Sequence, residues 1–233
     1  MRKLLRPIAD FFYLLYPHLC LACGEEAPPY NADICVKCEA TLPLSHFHKN
    51  KENGFTERFW GRVPIESGTG MYLFTKQSRV AHLIHNFKYK GKKEVGLILG
   101  SRYGHTLSRE PHFSGIDCIV PVPLHWKKER QRGFNQSEMF GNGLAESMGI
   151  PCIKDGLERL AHTDSQTKKS RHERLDSMQG MFAVKKERRL KGKHILLVDD
   201  VLTTGATLEV CANELLKLPG TKISMATIAI AIN

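Results

Sequence analysis

The chain has 233 residues, 42% of them hydrophobic, with a formal net charge of +10. That length holds one sizeable α/β domain and a small module, and the apolar share is that of an ordinary globular protein. The basic balance favours anionic ligands (phosphates, pyrophosphate or nucleic acid) without choosing among them.

Met1–Tyr16 opens with Arg2, Lys3 and Arg6 ahead of an apolar patch. The patch is too short to span a bilayer, Asp10 interrupts it, and no small-residue cleavage site follows. Leu4, Leu5, Ile8, Phe12 and Leu15 share one helical face, so an amphipathic helix packed on the protein is expected. Next come Cys20-Leu-Ala-Cys23 and Cys35-Val-Lys-Cys38, separated by eleven residues. Each CxxC pair places two thiolates at one knuckle, and two knuckles complete a tetrahedron. Cys20, Cys23, Cys35 and Cys38 therefore read as a structural Zn²⁺ site with no ligand position left open. The other three cysteines, Cys118, Cys152 and Cys211, lie in apolar settings as core thiols. An odd count with this clustering argues against a disulfide framework and fits a reducing cytoplasm.

Thr41–Arg62 is polar and His-rich and reads as a solvated linker rather than as further metal ligands. Val63–Thr75 is expected to be extended. Val80, Leu83, Ile84 and Phe87 recur at helical spacing within Ser78–Lys90, and a second helix is expected over Lys93–Leu107. Lys88, Lys90, Lys92 and Lys93 form either a solvated helix end or a phosphate-facing patch. Asp117–Val122 reads as the first core strand. The basic run Lys127-Lys128-Glu129-Arg130-Gln131-Arg132 follows it, where Arg130 and Arg132 can fork onto phosphate oxygens and the lysines act as point charges. Ser137–Met148 reads as a helix despite Gly141 and Gly143, and Cys152–Leu160 as a strand. Ala161–Gln179 is long, polar and basic, the composition of a lid or a disordered loop. Met181–Val184 and Thr221–Ile232 read as further strands.

The chemistry concentrates in His194–Leu216. An apolar run, Ile195–Val198, leads to Asp199 and Asp200, then to the small, hydroxylated Val201–Thr207, then to Leu208, Cys211, Leu215 and Leu216 at helical spacing. A loop that opens a helix aims free backbone N–H groups at one point, and the helix dipole adds positive potential there. Gly205 lets such a loop curl, and Thr203, Thr204 and Thr207 offer hydroxyl donors. The loop suits a phosphate dianion, and the carboxylates suit the hydroxyls of a sugar beside it. A Walker-B reading needs a companion G-x-x-x-x-G-K-[ST] loop, which the sequence lacks.

Asp199–Thr207 resembles the phosphoribosyl-pyrophosphate (PRPP) motif of type I phosphoribosyltransferases. Nearly the whole chain resembles the ComF-type competence proteins, a family that includes GntX-like proteins. The shared features, in order, are the four-cysteine finger, Phe87-Lys88-Tyr89 with Gly91, Pro121–Leu124, Arg132–Gln136, Thr163 and Gln166 ahead of Arg174, and Leu196–Thr207. The resemblance implies an α/β fold of the type I phosphoribosyltransferase kind: a parallel sheet flanked by helices, with a hood and an N-terminal zinc finger. It divides the chain into helix and finger (1–45), linker or hood (46–77) and phosphoribosyltransferase-like domain (78–233). It implies Asp199 and Asp200 as catalytic, and Thr203, Thr204, Gly205, Ala206 and Thr207 on the 5′-phosphate. Pro123, Leu124, Lys127, Arg130 and Arg132 fall to pyrophosphate, and Lys168, Lys169, Arg171 and Arg174 to a closing loop. Mg²⁺ would accompany PRPP, and transfer of ribose 5-phosphate to an acceptor in the cytoplasm is expected, with a link to natural transformation. The competing expectation is a non-catalytic protein that senses PRPP or binds single-stranded DNA and competence partners such as a helicase, with no membrane span.

Overall fold

A computed structural model describes residues 19–26, 28–29, 32–160 and 180–232. The amphipathic helix expected at Met1–Tyr16 and the loop at 161–179 lie outside these residues. In chain order the described elements begin with α1 (Val36–Thr41), β1 (Ser67–Phe74), α2 (Arg79–Tyr89) and α3 (Lys93–Leu107). They continue with β2 (Cys118–Pro121), α4 (Trp126–Arg132), α5 (Gln136–Met148), β3 (Leu157–Arg159) and β4 (Phe182–Val184). The last are α6 (Glu187–Leu190), β5 (His194–Leu202), α7 (Ala206–Leu216) and β6 (Lys222–Ala231).

The main sheet has the order β1-β6-β5-β2, and its neighbours are parallel. Such strands are buried on both faces, which is why Ile195–Val198 is continuously apolar. Leu196 and Val198 face one core, with α2, α3 and α5; Ile195 and Leu197 face the other, with α7 and the β3–β4 hairpin. On the first side α3 and α5 meet backbone to backbone. A Cβ on Gly100 would stand 2.2 Å from the Phe140 carbonyl, and one on Gly143 would stand 2.1 Å from that of Leu97. The glycine that weakens a helix in isolation is what lets this pair close.

Residues 41–62 are not a solvated linker. Phe55 and Phe59 are fully buried with ring centroids 5.6 Å apart. The Asn53 amide donates to the carbonyls of Phe47, Asn50 and Gly68 at 2.7–3.0 Å, so the irregular backbone keeps its partners while buried. Two 3₁₀ turns, Phe47–Lys49 and Thr56–Phe59, replace any longer helix, so no period marks the packing in the sequence. Residues 67–74, inside the stretch read as linker or hood, form the β1 edge of the main sheet.

The four cysteines come together. Their sulfurs lie within 4.8 Å of one another, and Cys20 Sγ accepts the amide of Cys35 at 3.3 Å. Leu21, Ile34 and Leu42 of this module share a core with Leu83, Phe87 and Leu99.

Candidate functional site

A cleft of about 490 Å³ opens past the C-terminal ends of the parallel strands, where open α/β sheets bind ligands. Its floor is the acidic pair. β5 runs on through both acids, because β6 pairs with it at Asp199↔Thr227 and as far as Leu202↔Ile230. The loop behind the acids is therefore short, and α7 starts at Ala206. Gly205 takes φ +81° as the N-cap, a conformation open to glycine, and Thr203 and Thr207 on either side of it line the cleft.

Asp199 Oδ1 accepts from Ser137 Oγ and from the Asp200 amide, each at 2.8 Å. Burial, followed by the Asp200 charge, pushes the Asp199 carboxyl up to about 7 despite those donors. Asp200 Oδ2 meets Lys88 Nζ at 2.8 Å across the cleft. Lys88 thus belongs to the site, while Lys92 turns to Asp33 of the cysteine module at 3.5 Å. The two readings of the lysine patch divide residue by residue.

The segment after β2 is built to hold position. Asn135 donates to the Val122 carbonyl at 3.0 Å and caps α5 through the Ser137 amide, also at 3.0 Å. This places Ser137 against Asp199. Arg132 donates to Gln136 at 2.8 Å and stacks 5.5 Å from the Tyr89 ring. The basic run is a helix, α4, rather than a loop, and this sorts its cations. Lys128 and Arg132, four residues apart, line the cleft together with Pro123 and Leu124. Lys127 and Arg130 fall on other faces, and neither lines it: Lys127 Nζ lies 5.5 Å over the exposed Trp126 ring. Thr204, Gly205 and Ala206 form the turn beside the cleft rather than its wall. Lys168, Lys169, Arg171 and Arg174 lie outside the described residues.

The back of the 203–207 loop is held by residues that no motif marks. Arg58 donates to the carbonyls of Thr203 and Ala231, the latter at 2.6 Å. Arg62 donates to the Thr204 carbonyl at 3.3 Å and pairs with Glu209 in the first turn of α7. That pairing offsets a carboxylate that would otherwise repel an anion at the helix N-terminus. Phe59 lies 3.0 Å from where a Cβ on Gly205 would stand. Ser137, Arg159, Arg58 and Arg62 escape a reading of sequence; only the RGFNQS continuity hints at Ser137, and the others have no local signal.

Among known proteins, the phosphoribosyl transferase domain family matches residues 135–231. Competence protein ComFC of Bacillus subtilis (strain 168) is 27% identical over 210 residues, covering 88% of this chain and 81% of that protein. Competence protein F of Haemophilus influenzae is 32% identical over 103 residues, covering 44% of this chain and 43% of its own. DNA utilization protein YhgH of Salmonella typhimurium is 30% identical over 138 residues, covering 58% of this chain and 60% of that protein. The last two matches span less than two thirds of the relative's length. The domain match covers the strand, acidic pair, loop and helix just described, and a cysteine cluster consistent with a zinc finger stands ahead of it; together with the relatives these findings support a ComF-type family and a phosphoribosyltransferase fold.

Proposed function

We propose that this protein binds PRPP with Mg²⁺ in the cleft and transfers ribose 5-phosphate to an acceptor nucleophile. The observation that carries the reading is one cleft in which an acidic pair, a glycine-turned helix N-terminus and the cations Lys128 and Arg132 converge. In the reaction the bond from the ribose anomeric carbon to pyrophosphate breaks and its electron pair leaves with pyrophosphate. A bond to the acceptor forms, and the acceptor gives up its proton. Asp199 and Asp200 would accept hydrogen bonds from the ribose hydroxyls and favour the positive charge that develops on the ring, worth a few kcal/mol. The 203–207 loop would take the 5′-phosphate, and Lys128 and Arg132 the pyrophosphate. Mg²⁺ bound through substrate oxygens and the acidic pair would neutralise the leaving pyrophosphate. Lys88 would give up Asp200 as the ligand enters, since both compete for the same oxygen.

The cysteine module would hold Zn²⁺ in an all-thiolate set, which leaves no position for a water and makes the metal structural. Among the described residues no helix is long and apolar enough to cross a membrane. The names of the relatives, together with unpaired thiols, favour action in the cytoplasm on the path of incoming DNA. A second reading, a non-catalytic PRPP sensor or single-stranded-DNA binder, draws on the exposed Trp126, stacked 5.8 Å from His125 beneath Lys127.

Calorimetric titration with PRPP and Mg²⁺ tests the ligand on which the transferase reading depends. The wild type is expected to bind, and the Asp199→Ala/Asp200→Ala protein to lose that binding while keeping its zinc. A zinc-loaded wild type that takes up no PRPP would remove the transferase reading and leave DNA or a protein partner as the ligand.

A further inference from the structure

Arg159 ends β3, directly opposite Phe182 of β4, and its guanidinium lies 5.4 Å over that ring. It lines the same cleft as the acidic pair, Thr203 and Thr207. Its Nε is buried and has no hydrogen-bond partner, and among the described residues no carboxylate pairs with it. The residue as a whole is half-buried.

This is an expensive arrangement. A guanidinium cannot shed its proton, and a buried donor without a partner carries the desolvation cost of that group. The ring face of Phe182 returns only part of it. Of the other cations that line the cleft, Lys88 has Asp200 and Arg132 has Gln136, while Lys128 is exposed and open to water. Arg159 is held in place and left open. Its planar fork matches the two oxygens of a phosphate group, and it stands on a strand rather than on a long exposed stem.

We propose that Arg159 is a phosphate-binding residue of this cleft, its guanidinium taking oxygens of the phosphorylated sugar, an inference that rests on the PRPP reading above. The 5′-phosphate and the pyrophosphate present the same chemistry, and separate probes tell them apart. The test uses the full-length, zinc-loaded protein as wild type, Arg159→Met and Arg159→Lys. Each is titrated with PRPP plus Mg²⁺, with ribose 5-phosphate alone, and with pyrophosphate plus Mg²⁺, and each is melted without ligand. Arg159→Met is expected to weaken PRPP by about 10- to 100-fold, the range for a charged hydrogen-bonding partner. Whichever of ribose 5-phosphate and pyrophosphate weakens in parallel names the group held. The ligand-free melting temperature of Arg159→Met is expected to stay level or rise, because a buried donor without a partner has gone. Arg159→Lys keeps the charge and loses the fork, so its affinity is expected between the two.

Wild-type PRPP affinity in both variants, with a lowered melting temperature in Arg159→Met, would assign Arg159 to the hairpin scaffold and overturn the inference alone. A wild type that binds none of the three probes would overturn the PRPP reading, and this inference with it.

Discussion

Asp199 sits at the bottom of the cleft with its charge suppressed. Burial and the Asp200 charge raise its carboxyl to about 7, above the ordinary value of 3.8. The sign of the consequence follows from proton counting. Between pH 4 and 7 the folded chain holds a proton on Asp199 that the unfolded chain has released. The stability that this proton supplies is whole below the unfolded value and is lost as pH rises to about 7. Asp199→Asn, which cannot ionise, should therefore melt higher than wild type at pH 7.5, and the gap should close toward pH 4. At about 2–4 °C per kcal/mol for a chain of this size, a gap of several degrees is expected. PRPP binding should run the opposite way, strengthening from pH 6 to 8 as Asp199 becomes an acceptor for ribose hydroxyls. Parallel melting curves for the two proteins across that range would show that the raised carboxyl is absent in solution.

At the scale of the element, the 203–207 loop is a shape imposed from behind. A turn of three residues, 203–205, between β5 and α7 must turn its amides inward, and carbonyls left outward then need donors. Arg58 and Arg62 supply them, from the 3₁₀ turn at Thr56–Phe59 and just beyond it. Arg58→Ala should leave the fold intact but loosen this turn. Amide exchange across 203–207 is expected to quicken by about ten-fold, on the order of 1–2 kcal/mol of local stability. Exchange at wild-type rates would make the arginines bystanders. The same geometry explains which parts of the site can be read from sequence. Asp199 to Thr207 is contiguous, so its strand, acids and loop are legible without a structure. Arg58 meets Thr203 across 145 positions, and Arg159 reaches the cleft through a hairpin partner; neither contact leaves a local pattern. Lys127 and Arg130 read like Lys128 and Arg132 because charge alone does not reveal the helical face that separates them.

At the scale of the molecule, the cysteine module is an extension of the main core and not an appended bead. It is too small to stabilise itself, and its Leu21, Ile34 and Leu42 are buried against Leu83, Phe87 and Leu99. The helix that receives it, α2, touches the site as well. Asn86 donates to the Leu21 carbonyl at 2.8 Å, and Lys88, two residues on, reaches Asp200. On α3, Arg102 pairs with Glu39 of the module at 2.6 Å. Zinc bound by the four thiolates would thus support α2 and, through it, one wall of the cleft. Cys38→Ser, in which a fully buried ligand is lost, should release the metal and lower the melting temperature of the whole chain in a single transition. The expected fall is roughly 5–15 °C, again at about 2–4 °C per kcal/mol. PRPP affinity should fall too, with the binding stoichiometry of the remaining folded protein unchanged, because α2 loses its outer support while the 203–207 loop keeps Arg58 and Arg62. A two-step melt with the second midpoint at the wild-type value would instead make the module an independent unit. In that case the coupling carried by Asn86 and Lys88 would not operate, and zinc would serve the finger alone.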